Sequence, residues 1–348
     1  MRKLFLKTKG ITNMLNGIKT KALLIGTLVV SMLIGGCGVK KDSDDKAMLL
    51  DRKKITEVTS GGKKNLLDIS KDHKTYWQYD SGKNLLISSS RQCTNVSIYN
   101  VETGAKTDIG FPKDDDSKGF DYEGQKMYGR NAWYEEGKVS IYARNADEKL
   151  VVFTFDCETK ELKDTASYDI ERPVYVRNAG NFIVYVKSVN VKDQNDKYYS
   201  KFELNVFDKK TGENKTVASD IGQLGKGFDL IVLNGDKSKV LFVKNNDWSK
   251  ILDKKAKDTP VLYEYDIPSG ETREVYKCSK GNCITGFTYA SESNKIYLRY
   301  GKIISAGVVD YNIQPNHTTV ITPDGRNYEL HSSVIDGYDI NTTGIVIY

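Results

Sequence analysis

Histidine occurs only three times in 348 residues, at His73, His317 and His331, and the compact catalytic signatures are missing altogether. There is no H-E-x-x-H, no G-x-S-x-G, no G-x-x-x-x-G-K-[ST] and no G-x-G-x-x-G. Paired-histidine zinc chemistry, a nucleophile elbow and a phosphate-cradling loop therefore lack their usual residues. Cysteine is nearly as scarce. Beyond Cys37 the chain has Cys93, Cys157, Cys278 and Cys283, too few for a disulfide scaffold, so a buried core must hold the fold. Cys278-Ser-Lys-Gly-Asn-Cys283 could bridge the base of a turn or stay as two free thiols. It lacks the second ligand pair a zinc site needs. The acidic run Asp114-Asp-Asp116 puts Lys118 where a calcium loop wants an oxygen donor and Gln125 where it wants a bidentate Glu, and reads as a solvated loop. No metal and no cofactor is expected.

Acidic residues are also absent from the first 41 positions, and Arg2, Lys3, Lys7, Lys9, Lys19 and Lys21 make the first stretch wholly basic. Ala22 to Gly36 follows as one short apolar run, too short for an ordinary spanning helix and suited to the hydrophobic region of a signal peptide. It closes on Ile34-Gly35-Gly36-Cys37. This resembles the bacterial lipobox, whose cysteine is diacylated before cleavage on its N-terminal side. The resemblance implies a signal peptide over 1–36, lipid on Cys37, a polar tether over 37–46 and a folded domain over 47–348. It also implies a membrane-anchored location facing the extracytoplasmic side, since two acyl chains make a stable anchor. Translation starting at Met14 instead of Met1 leaves this reading unchanged.

Loss of the signal removes those six cations. Lys plus Arg falls from 52 to 46, equal to Asp plus Glu, so the net charge drops from +6 to 0. A neutral domain with no sustained basic stripe gives no reason to expect nucleic acid as partner.

After residue 70 the chain is rich in β-branched and aromatic segments, such as Leu150-Val-Val-Phe-Thr-Phe155 and Phe182-Ile-Val-Tyr-Val186, and helical spacing is hard to find. An all-β fold is predicted. Strands end repeatedly in an Asp or Asn turn: Tyr99-Asn-Val-Glu-Thr-Gly104, Phe155-Asp-Cys-Glu-Thr-Lys160, Phe207-Asp-Lys-Lys-Thr-Gly212, Tyr265-Asp-Ile-Pro-Ser-Gly270 and Tyr311-Asn-Ile-Gln-Pro-Asn316. Their anchors are 56, 52, 58 and 46 residues apart, a period that means propeller blades or arrays. Each is preceded by a tight corner: Ser81-Gly-Lys83, Glu136-Gly-Lys138, Ala179-Gly-Asn181, Asp236-Lys-Ser-Lys239 and Ser293-Asn-Lys295, with Thr342-Thr-Gly344 as a sixth. These repeats resemble those of WD-type and TolB-like β-propellers. The resemblance implies a propeller, and counting the repeats along the chain gives a single propeller of six blades of four antiparallel strands, closed by pairing N- and C-terminal strands, with an open or seven-bladed arrangement as the alternative. The N-terminal candidates for closure are Met48-Leu-Leu50 and Ile55-Thr-Glu-Val58.

In that strand order both kinds of corner lie on one face of the disc. The variable segments Phe111 to Lys126, Lys187 to Lys201 and Lys244 to Pro260 lie on the other. Long loops on a rigid scaffold carry binding, and Tyr198, Tyr199 and Trp248 are aromatics set among charges, as on recognition surfaces. The same aromatics could instead pin their own loops to the disc. The favoured function is a non-enzymatic module binding an extracytoplasmic protein, peptide or cell-wall glycan. The alternative is a polysaccharide or peptide hydrolase or lyase, with a pair of carboxylates at the ring's centre.

Overall fold

The computed structural model describes residues 47–51, 54–59, 62–68, 76–80, 83–89, 94–111, 119–192, 198–222, 230–252, 258–290, 293–306, 311–329 and 342–347. Side chains are described from Lys83 onward, except at 198–199, 249, 305–317 and 342–347. Cys37, Cys93, His73, His331 and Asp114 to Asp116 lie outside the described residues or side chains.

The chain opens with β1 (Ala47–Asp51), β2 (Lys54–Thr59) and β3 (Gly62–Asp68). Blade one is β4 (Tyr76–Asp80), β5 (Leu85–Ser89), β6 (Asn95–Asn100) and β7 (Lys106–Gly110). Blade two is β8 (Phe120–Tyr122), β9 (Gln125–Glu135), β10 (Lys138–Arg144), β11 (Lys149–Asp156) and β12 (Leu162–Glu171). Blade three is β13 (Pro173–Ala179), β14 (Phe182–Lys192), β15 (Tyr198–Asp208) and β16 (Asn214–Ser219). Blade four is β17 (Val232–Leu233) and β18 (Lys239–Lys244), a one-turn helix α1 (Trp248–Leu252), then β19 (Val261–Asp266) and β20 (Thr272–Lys277). Blade five is β21 (Asn282–Tyr289), β22 (Ile296–Ala306), β23 (Tyr311–Ile321) and β24 (Asn327–Glu329). The last strand, β25 (Thr342–Ile347), pairs antiparallel with β1 in a sheet ordered β25-β1-β2-β3.

Within each blade, neighbours in sequence are neighbours in the sheet. The inner strands of successive blades touch, with β4 against β9, β9 against β13 and β17 against β21, while β25 touches both β21 and β4. This is a β-propeller.

The core lies between blades, and the strand period explains why. Along β18, Val240 and Phe242 pack with Val184, Val186 and Leu204 of blade three, while Leu241 and Val243 pack with Ile284 and Leu298 of blade five. Both faces are buried, so such a strand reads as an unbroken apolar run. The same arrangement joins Ile87 and Val96 of blade one to Val139, Ile141 and Phe153 of blade two. Tyr142 and Leu150 join Val176 and Tyr185 of blade three in the same way.

The Asp turns have a local cause. Asp156 Oδ1 accepts hydrogen bonds from the backbone of Glu158 (2.9 Å) and Thr159 (2.8 Å), and Asp208 does the same for Lys210 and Thr211. The following Thr or Ser hydroxyl accepts from the amide two residues on, as Thr211 does from Glu213 at 3.2 Å. The residue between turns left-handed, which glycine does without strain at Gly212 (φ 74°). Those amide bonds to Asp156, Thr159's first among them, hold its carboxyl below the usual range.

Several expectations are corrected. Six uniform four-stranded blades are not what forms. Five blades carry the described core, and blade two has five strands, because Gly119 lets the chain fold back tightly enough for β8 to pair with β9. A Cβ at Gly119 would lie 2.1 Å from the Met127 carbonyl oxygen. The segment Phe111 to Lys126 is accordingly not only a surface insertion. Phe111 stacks on Phe120 at 4.1 Å, and both meet Phe153 edge-on inside the blade one–two core. The sheet that joins the chain ends takes three strands from the N-terminal side and one from the C-terminal side, with Gly62–Asp68 the unforeseen third. Thr342 to Gly344 forms strand rather than a corner. Tyr311 to Asn316 also runs as strand, and blade five turns instead at Thr322-Pro-Asp-Gly-Arg326. There Gly325 N–H donates to the Thr322 carbonyl at 2.8 Å with φ of 84°. The β-branched run Thr318-Thr-Val-Ile321 carries the strand past the earlier Asn.

Candidate functional site

Ties between blades are polar as well as apolar, and they set the ring's rigidity. Asn131, in the innermost strand of blade two and 1 % exposed, uses its carboxamide twice on blade three. Its Nδ2 donates to the Val176 carbonyl (2.8 Å) and its Oδ1 accepts from the Val176 amide (2.9 Å). Asn246, just past β18, repeats the pattern on Ile284 of blade five at 2.8 and 2.9 Å. Glu264, buried in β19, accepts from Arg273 Nε (2.7 Å), Lys239 Nζ (3.3 Å) and the hydroxyl of Tyr289 on blade five (2.7 Å). Burial alone would raise its pKa, but the Arg273 and Tyr289 bonds outweigh that and hold it below the usual range. Arg177, 3 % exposed, lies between the rings of Trp133 (3.8 Å) and Tyr175 (4.1 Å), so a cation is stacked into the blade two–three junction.

The two faces differ in kind. On the corner face, short turns from several blades meet. Lys83 of blade one donates to the Tyr134 hydroxyl of blade two at 3.2 Å, Lys237 of blade four ion-pairs with Glu135 of blade two, and Asn234 of blade four reaches Asn294 of blade five at 3.5 Å. On the looped face, elements project. The β14–β15 hairpin stays paired out to Lys192 and Tyr198, while β13 ends opposite Lys187 and β16 opposite Glu203. Its outer part, Ser188–Lys192 with Tyr198–Phe202, is therefore a two-stranded ribbon. The β22–β23 hairpin does the same, with Ile303–Ala306 paired to Tyr311–Ile313 beyond the last pair that β21 makes. Ile304 on this second ribbon is 53 % exposed.

The residues singled out by sequence fall into these settings unevenly. Tyr198 and Tyr199 stand on the first ribbon, opposite Lys192 and Val191. Trp248 opens α1, half-buried against Ile251, Leu252, Cys283 and Ile303, so it holds the helix onto the base of the second ribbon. Cys278 and Cys283 are buried free thiols at the blade four–five junction. Burial pushes Cys278 up to about 12 and Cys283 higher still, and Cys283 Sγ donates to the Gly301 carbonyl at 3.5 Å. His317 lies within β23 opposite Tyr300. Among the described residues no group of three His, Cys, Asp or Glu side chains could hold a metal ion. The described innermost strands carry acidic residues only at Asp80 and Glu135, the last residues of β4 and β9.

Sequence reasoning passed over Asn131, Asn246, Glu264 and Arg177. A signal existed for two of them in the repeated triplets Arg130-Asn-Ala132 and Arg177-Asn-Ala179, where a charge and an amide interrupt otherwise apolar inner strands. No family model and no curated protein matches the chain. Among solved structures, it is similar to a chain of the nidogen/laminin complex, with 8 % identity over 87 % of this chain and 98 % of that one, at a TM-score of 0.46. It is also similar to a chain of the mitotic checkpoint complex, with 9 % identity over 79 % and 78 %, at a TM-score of 0.39.

Proposed function

We propose that this chain is a lipid-anchored extracytoplasmic binding module, a TolB-like propeller that holds a protein, peptide or glycan on its looped face. The observation that carries the reading is the pair of ribbons projecting from blades three and five on the same face, with α1 packed at the foot of one. Beyond Phe202 and Ile303, which still pack on the core, their strands run on as paired ribbons with open edges, the kind of element that recognises a partner. Anchoring through Cys37 rests on the lipobox-like Ile34-Gly-Gly-Cys37 alone.

Two experiments test this. Metabolic labelling with a radioactive fatty acid should mark the parent chain and leave Cys37→Ser unlabelled; an equally labelled variant would refute the anchor. Crosslinking in intact cells, followed by pull-down, should capture a partner with the parent that is lost when 189–200 is replaced by a two-residue turn. Equal capture by that variant, with parental circular dichroism, would move binding off the ribbon.

A further inference from the structure

The hydrogen-bond ladder of blade three tells the two edges of its ribbon apart. Asp208 N–H donates to the Glu213 carbonyl at 2.9 Å, and the Phe202 carbonyl accepts from Ile221 N–H at 3.0 Å, so even-numbered residues of β15 bond away from β14. The β14–β15 register runs without a shift from Phe182 opposite Asp208 to Lys192 opposite Tyr198. Val189 and Val191 therefore bond to β15, while Ser188 and Asn190 turn their N–H and C=O to the other edge. Among the described residues no strand pairs with that edge beyond Lys187. The reason lies in the chain path. Arg172 turns left-handed (φ 51°) and the residues before it belong to β12, so β13 begins only at Pro173, opposite Lys187. Because β13 is the innermost strand of its blade, the open edge of β14 faces the ring's axis. The second ribbon likewise outruns β21, but its register shifts twice, between Gly301 and Ile303 and between Ile303 and Ser305, which breaks the regular ladder.

We propose that the inner edge of β14 accepts an extended peptide of a partner protein as an added strand, laid across the looped mouth of the ring. The proposal rests on the looped-face reading and narrows its ligand to a peptide. Outward backbone groups at alternate residues are what a further strand pairs with, and the flanking side chains set its sequence. Val189 and Val191 are half-buried and share the face of Ile183 and Tyr185, which pack towards blade two. Ser188, Asn190 and Lys192 share the opposite face. In the outer strands of this ribbon, 188–192 and 198–202, the charged residues are Lys192 and Lys201, and none is acidic. Asp220 meets Lys201 at the ribbon's base, at 2.8 Å. The complementary strand thus alternates aliphatic side chains, beside the two valines, with polar ones, and sets an acidic residue opposite Lys192.

The full chain in a non-ionic detergent serves to select from a phage-displayed library of random linear peptides. Enriched sequences should alternate aliphatic and acidic residues, and the best of them, labelled with a fluorophore, gives an affinity by anisotropy. The Asn190 N–H points away from β15, so Asn190→Pro keeps the β14–β15 ladder and removes a donor from the open edge. It should weaken the peptide about 10-fold, whereas Asn190→Ala should stay within about 2-fold and Lys192→Glu should weaken it about 5-fold. Should Asn190→Pro loosen the ribbon, amide exchange in the parent carries the test, and the peptide should slow Ser188 and Asn190. No enriched peptide, or one that binds Asn190→Pro as it binds the parent, would overturn strand addition. So would self-association of the parent that Asn190→Pro abolishes, which would make a second copy the occupant. A cellular partner kept by Asn190→Pro but lost on replacing 189–200 would overturn strand addition alone. One kept by both variants would overturn the looped-face reading as well.

Discussion

Single side chains here do the work of fixing one blade against the next. Glu264 is the sharpest case, a buried carboxylate shared by Arg273, Lys239 and a tyrosine of the neighbouring blade. Replacing it with Gln should cost about 2–4 kcal/mol in thermal unfolding, since the cations and the Tyr289 hydroxyl lose their common acceptor. The sign with pH follows from its lowered pKa. Its contribution is present above the ordinary carboxylate range and is lost as pH falls through the depressed value. The parent's stability should therefore fall faster on acidification than that of Glu264→Gln, and parallel acid titrations of the two would contradict the assignment. The thiols supply a second check. Burial pushes Cys157 up to about 11 and Cys278 up to about 12, so iodoacetamide at pH 8 should label Cys157, Cys278 and Cys283 only after unfolding in urea. A Cys278–Cys283 bridge would show instead as two sites that urea alone fails to expose.

At the scale of elements, the hairpins divide into a part that builds the core and a part that leaves it. Ile183 to Val186 of β14 are fully buried, whereas Asn190 and Lys192 on the same strand are exposed. Replacing 189–200 by a tight turn should leave the melting temperature within a few degrees of the parent. Trp248→Ala should lower stability by about 1–3 kcal/mol, because α1 is held to β22 through that ring, Ile251 and Leu252. The strand content and the turns were legible for a physical reason: Asp, Thr and Gly each satisfy a separate demand of one turn, so the motif repeats where the geometry repeats. Legibility failed where a signal was local but the answer was not. Asn312 looks like the other turn anchors, yet the β-branched residues after it extend the strand and leave the turn to Pro323-Asp-Gly325. Phe111 and Phe120 sit in a charged stretch that reads as an insertion, and only the neighbouring blade reveals that they belong to the core. The inter-blade amides were invisible for the same reason, because their partners are backbone groups 45 and 38 residues away.

The whole molecule depends on closing the ring. Strand β25 pairs with β1 and touches the first strands of blades five and one. Removing 342–348 should expose the hydrogen-bonding edge of β1 and uncover the inner strands of blades five and one, with marked destabilisation and self-association measurable by light scattering. A truncated chain that stays monomeric and melts like the parent would deny that closure. The two faces of the closed ring then have different roles, with the ribbons open to a macromolecule and the corners drawn together by short polar contacts. Hydrogen–deuterium exchange on the chain with its captured partner tests that division most directly. The account predicts slowed exchange at Ser188–Lys192, Tyr198–Phe202 and Ile303–Ala306, with the corners at Glu135–Lys138 and Asp236–Lys239 unchanged. Protection centred on those corners, with the ribbons exchanging as in the free chain, would contradict it.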